Sequence, residues 1–167
     1  MQLAVKYNVE RAIKFLLRQQ FRGLNPHGTA RDGYDSRPPA VIAANYGYHN
    51  VLQMFVESGR TVEIFLLDED TGRTMLHQVF DREKVKYFKG LNPDHVSYAK
   101  CVEMLVRGRS WEDINCKDKN GDTAIHLATK IGDRDSILAL LIAGASVAAT
   151  NKMGEQPFLS TQGLDLF

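Results

Sequence analysis

The sequence predicts an all-α protein, a solenoid of short helix-turn-helix units laid side by side. Three observations carry this expectation. Asp118-Lys119-Asn120-Gly121-Asp122 reads as a polar turn running into a helix that opens at Thr123, breaks at Gly132, resumes through Ile137 and Ile142 and stops at Gly144. The turn then returns as Asn151-Lys152-Met153-Gly154-Glu155-Gln156-Pro157-Phe158, with Gly154 thirty-three residues past Gly121, a period of the kind that stacked repeats show. Apolar residues also recur at helical spacing elsewhere, as at Ala12, Ile13, Leu16 and Leu17.

Composition narrows the class. The chain has 167 residues, 44% hydrophobic and 25% charged, which is a globular rather than a disordered balance and enough for one domain of four to five such units. A net charge of +1 gives no overall field favouring nucleic acid or membrane. No apolar run reaches about 18 residues and Met1-Gln2-Leu3-Ala4-Val5-Lys6 has no secretory core, so an intracellular protein without membrane contact is expected. Cys101 and Cys116 lack C-x-x-C spacing and are expected as reduced thiols.

Taken in order, residues 1–20 supply a first unit that opens inside its first helix, as expected of a piece of a larger protein. Residues 19 to 36 are irregular, with Gly23, Pro26, Gly28 and Gly33. A second unit spans 36–60: Pro38 and Pro39 start its inner helix, where a missing N–H costs nothing, Gly47 breaks it, and Val51 to Val56 form the outer helix. The third unit, 70–109, opens at Asp68-Glu69-Asp70-Thr71-Gly72-Arg73, and Thr74 is placed to cap the helix of Met75, Leu76 and His77. Gly72 to Gly108 is 36 residues where Gly121 to Gly144 is 23, so an insert of 13 falls within 81–94. The regular unit is 119–148, and a partial one covers 152–167.

The chemistry-bearing residues point away from catalysis. No G-x-S-x-G, G-x-x-x-x-G-K-[ST] or G-x-G-x-x-G is present, so no enzyme, cofactor or metal role is expected. His77 and His126 each follow a threonine by three residues, Thr74 and Thr123, and the repeat sets them in successive units, so they are expected as structural pairs rather than metal ligands. The acidic run Asp68-Glu69-Asp70 lacks calcium-loop spacing. The insert interleaves Arg82, Lys84, Lys86 and Lys89 with Tyr87 and Phe88. That composition suits a protein contact or a solvated loop, and less well a nucleic-acid backbone. Trp111 is either an apolar lid over helix ends or an exposed anchor.

The turn, the two helices, the threonine–histidine pairs and the 33-residue period together resemble the ankyrin-repeat family, over residues 1 to about 159. The resemblance implies hairpin-like turn tips, a concave face of inner helices, and binding of another protein. By position the partner-binding tip residues are Asp70, Thr71, Arg73, Lys119, Asn120, Asp122, Lys152, Met153 and Glu155, joined by Tyr87, Phe88 and Trp111 outside the tips. In the family the threonine and histidine tie neighbouring units. Val41 stands at the histidine position of the second unit, so that tie is expected to be missing there. Asp113-Ile114-Asn115 is similar to the loop that an intracellular asparaginyl hydroxylase modifies in many ankyrin arrays, while asparagine also suits a plain turn. The inserted unit resembles two transcription-regulating groups, the fungal G1/S cell-cycle transcription factors and the inhibitor-of-NF-κB proteins, and Leu66 to His77 looks more like the fungal one. That implies a regulator of nucleus or cytoplasm.

Overall fold

The structure, a computed structural model, describes residues 38–57, 68–81 and 97–157. Seven helices lie among them: α1 (Pro39–Asn45), α2 (His49–Glu57), α3 (Met75–Gln78), α4 (Tyr98–Val106), α5 (Trp111–Ile114), α6 (Ala124–Ile131) and α7 (Arg134–Ile142). No strand occurs among the described residues. The first unit, most of the insert and the tail from Phe158 lie outside the described residues.

Local sequence sets the helix ends. Pro39 occupies the first turn of α1. Ser97 caps α4 by accepting from Lys100 N–H at 3.3 Å, and Asp133 caps α7 through Ser136 N–H at 3.1 Å, each satisfying an amide that the helix leaves unpaired. Gly132 closes α6 in the left-handed region. That turn folds α7 back on α6, as Gly47 folds α2 on α1.

Packing runs in two layers. α1 touches α3 and α3 touches α6. In the second layer α2 touches α4 and α4 touches α7. Thus α3 and α6, the inner helices of successive units, are neighbours. The second-layer helices bury the same three positions, i, i+1 and i+4: Val51, Leu52 and Phe55, then Cys101, Val102 and Leu105, then Ser136, Ile137 and Leu140. The first-layer residues Ala43, Met75, Val79, Ile125 and Ala128 complete one continuous apolar core. Small side chains at Ala43, Ala124 and Ala128 are fully buried, which lets helices approach closely, and the burial itself is the main stabilising term.

The two cysteines differ in access. Cys101 is fully buried in that core, and burial pushes its thiol up to about 12. Cys116 is half-buried, and its thiol is raised by burial and by the nearby Asp113 carboxylate. The thiolate is the reacting form, so iodoacetamide at about pH 8 is expected to modify Cys116 slowly and Cys101 only after unfolding. Peptide mass spectrometry with and without urea reads the difference.

Candidate partner-binding site

Three turns carry the predicted tip residues, and one hydrogen-bonding scheme builds each. In the first, Asp68 N–H donates to Arg73 O at 2.9 Å. In the second, Asp118 N–H donates to Asp122 O at 2.8 Å, and in the third Asn151 N–H donates to Glu155 O at 2.9 Å. The side chain at each turn's start then gathers the amides inside it. Asp68 Oδ1 accepts from Asp70 and Thr71, both at 3.0 Å. Asp118 Oδ1 accepts from Asn120 and Asp122, and Asn151 Oδ1 from Met153 and Glu155. Local side-chain bonding of this kind is why Asp and Asn open turns.

Successive tips are joined backbone to backbone. Lys119 N–H donates to Thr71 O at 2.9 Å, and Lys152 N–H donates to Asn120 O at 3.0 Å. The tips therefore stand in a row whose spacing is set by main chain.

The threonine–histidine pairs tie helix to tip. Thr74 N–H donates to His77 Nδ1 at 3.2 Å, and the Thr74 hydroxyl lies 2.8 Å from the same nitrogen. An accepting Nδ1 puts the proton on Nε2, which donates to Asp122 O at 3.0 Å in the next unit. His126 repeats this, with Thr123 on Nδ1 and Nε2 donating to Glu155 O at 3.2 Å. Both histidines are buried. Among the described residues no group of three His, Cys, Asp or Glu could hold a metal ion.

Burial lowers the His77 pKa from its usual 6.5, outweighing the opposing pull of the Asp122 carbonyl and the Asp118 carboxylate. The unfolded chain then binds a proton at His77 more readily than the folded one. The stability this histidine contributes is full above about 6.5 and lost as pH falls through that value toward the lowered folded pKa. Urea midpoints are therefore expected to drop between about pH 7.5 and pH 5.

The structure places the predicted residues unequally. Asp70, Thr71, Lys119, Asn120, Lys152, Met153 and Glu155 are exposed on the tips, Met153 at 80%. Lys119 Nζ donates to Glu69 O at 2.6 Å. Arg73 is drawn inward: its Nε donates to Asp118 Oδ2 at 3.2 Å, and it lies 3.9 Å from Asp81. Asp122 is half-buried, accepting from Asn151 Nδ2 at 2.9 Å. Between the second and third tips and α6 lies an open groove of about 930 Å³. Asn120, Asp122, Lys152, Met153 and Glu155 line it together with His126, Thr129 and Lys130. Thr129 and Lys130 were not singled out by the sequence, although each lies one helical turn past a core position of α6. Trp111 is 60% exposed, so it is no lid. Tyr87 and Phe88, with the basic residues of the insert, lie outside the described residues.

Asn115 does more than turn the chain. Its Nδ2 donates to Trp111 O at 2.9 Å and Gly144 O at 3.2 Å, and its Oδ1 accepts from Ser146 N–H at 2.7 Å. It thereby pins α5 to the loop after α7.

Comparison with known families bears on the regular unit. Residues 120–152 match the ankyrin repeat family model. That match supports the ankyrin-repeat family, and it covers the end of the second tip, α6, α7 and the start of the third tip, so the Thr123–His126 pair and most of the groove's lining lie within the matched stretch. No curated protein matches the chain. Among the described residues no helix is long and apolar enough to cross a membrane.

Proposed function

We propose that this chain is a non-enzymatic protein-interaction module, an ankyrin solenoid whose tips and first-layer helices receive another protein. The observation that carries it is the convergence of five tip residues on one groove, Asn120, Asp122, Lys152, Met153 and Glu155, in a row fixed by main-chain bonds. A site whose backbone is already ordered pays little entropy on binding, so affinity rests on a few side chains rather than on area. Ankyrin repeats bind other proteins in this rigid-body manner.

The finer reading is a transcriptional or signalling regulator of the fungal G1/S or inhibitor-of-NF-κB type, acting in nucleus or cytoplasm. The long insertion between α3 and α4 supports it, because regular arrays do not interrupt a unit in that way.

The test is affinity capture with the whole chain, compared with a Lys152→Glu/Met153→Ala variant and with a chain lacking residues 81–94. Both tip substitutions fall on exposed side chains, so folding is expected to be retained. Captured proteins should drop at least about tenfold with the tip variant. Undiminished capture overturns the proposal. Retention on DNA that weakens steeply as salt rises, and is lost with 81–94, instead assigns the chain to nucleic acid.

A further inference from the structure

The three tips share a glycine and differ in what precedes it. Gly72, Gly121 and Gly154 stand at the same place, each with a positive φ, and follow Thr71, Asn120 and Met153. At the second tip glycine is compulsory, because a Cβ on Gly121 would run into the main chain of Lys152. The close approach of the third tip thus fixes a residue without a side chain directly after an asparagine. No other asparagine in the chain is followed by glycine.

The Asn120 side chain is also unengaged. Asn45 donates its amide to Gln78 O, and Asn50 Oδ1 accepts from Val51 N–H. Asn115 and Asn151 are each held through both the oxygen and the nitrogen of the carboxamide. Asn120 is exposed and lines the groove, and among the described residues its carboxamide makes no hydrogen bond. Its main chain, by contrast, is tied down. Asp118 Oδ1 accepts from Asn120 N–H at 2.8 Å, and Asn120 O accepts from Lys152 N–H at 3.0 Å.

We propose that Asn120 is a site of spontaneous conversion to isoaspartate, which cuts the main-chain bond between the second and third tips. The Gly121 nitrogen attacks the side-chain carbonyl carbon of Asn120. A carbon–nitrogen bond forms there as the bond to the side-chain nitrogen breaks, and ammonia leaves with the proton that Gly121 gives up. Water then opens the cyclic imide. Opening at the side-chain carbonyl gives aspartate. Opening at the main-chain carbonyl gives isoaspartate, in which the chain runs through the former side chain. One water is consumed and one ammonia released, with no change of oxidation state. In isoaspartate the carbonyl that Lys152 N–H bonds has become a free carboxylate, and the turn is longer by one methylene. Glycine favours the attack because it has no Cβ to crowd the approaching nitrogen. In the closed tip Gly121 N–H is donated to Asp118 O at 2.9 Å, so the attack starts from turns in which that bond has opened. The conversion depends on the tip alone, not on whether the groove receives a partner.

The test is to age the full chain in mildly alkaline buffer and read its peptides by mass spectrometry, with isoaspartate assigned by enzymatic methylation of its carboxylate. Loss of the amide is expected at Asn120 before any at Asn115 or Asn151. Hydrogen exchange of the Lys152 amide, followed by NMR, should be slow in the fresh chain and faster in the aged one. A freshly prepared Asn120→Asp variant supplies the aspartate product with its main chain intact and should keep the slow exchange. Asn120→Gln, whose longer side chain closes the ring poorly, should keep both its amide and the slow exchange on ageing. An Asn120 amide that lasts as long as those of Asn115 and Asn151 overturns the proposal. So does aspartate as the sole product, an aged chain with unchanged exchange at Lys152, or a glutamine variant that ages like the parent.

Discussion

Replacing His77 by alanine is expected to lower folding stability by about 3 kcal/mol. The imidazole is 1% exposed and holds three groups at once: the Thr74 amide, the Thr74 hydroxyl and the carbonyl of Asp122. Alanine leaves the half-buried Thr74 amide without its imidazole acceptor and leaves the Asp122 carbonyl with only one of its two donors, Asp118 N–H. A polar group orphaned away from water costs more than an ordinary exposed hydrogen bond is worth. It also leaves a void against α6. Because one of the three bonds crosses from one unit to the next, the loss falls on the coupling between them as well as on α3. Urea denaturation followed by circular dichroism should show a lower midpoint and, as the units uncouple, a broader transition. Thr74→Val is the measured contrast: it removes the hydroxyl alone and should cost about 1 kcal/mol. Equal effects from the two substitutions would mean that the imidazole bonds matter little.

Gly121→Ala is expected to be the most damaging change available at a tip. Its φ is +80°, where a side chain is strained, and a Cβ there would lie 2.7 Å from Lys152 N and 3.2 Å from Asn151 C and Cα. Those atoms are backbone, so they cannot swing aside as a flexible side chain would. Pushing Lys152 N away also breaks its bond to Asn120 O, one of the two main-chain bonds that join successive tips. Gly132→Ala separates the effects, since its φ is +76° and nothing lies within 4 Å of its added Cβ. The strain alone should cost about 1 kcal/mol at Gly132, and Gly121→Ala about 2 kcal/mol more. Calorimetric midpoints of the two variants measure the gap, and matching midpoints would show that the tips do not press on each other.

What the sequence made legible was whatever repeats. Thr123 and His126 could be matched to Thr74 and His77 because the same spacing occurred twice, and the tip glycines fixed the period. The helix stripes follow from residue type alone. What stayed hidden depends on contact between units far apart in the chain. Arg73 looked like a solvent-facing tip residue, yet its guanidinium is committed to Asp118 forty-five positions on. Asn115 looked like a turn residue but bridges to Gly144 and Ser146. Val41 puts no imidazole at the histidine position of the second unit. It could not announce that Asn45, fully buried, would donate its amide to the Gln78 carbonyl in the next unit. Leu138 and Ile142, exposed on α7, were concealed differently: in an apolar run, residue type does not tell which face is left outward.

Each histidine reaches across to a carbonyl of the main chain, at Asp122 and at Glu155, and not to the side chain at that position. Every residue has such an oxygen. The letter at the receiving position is thus free to drift without loosening the joint, so mutation can rewrite what the row of loops says to a visitor while the spine beneath it keeps its shape.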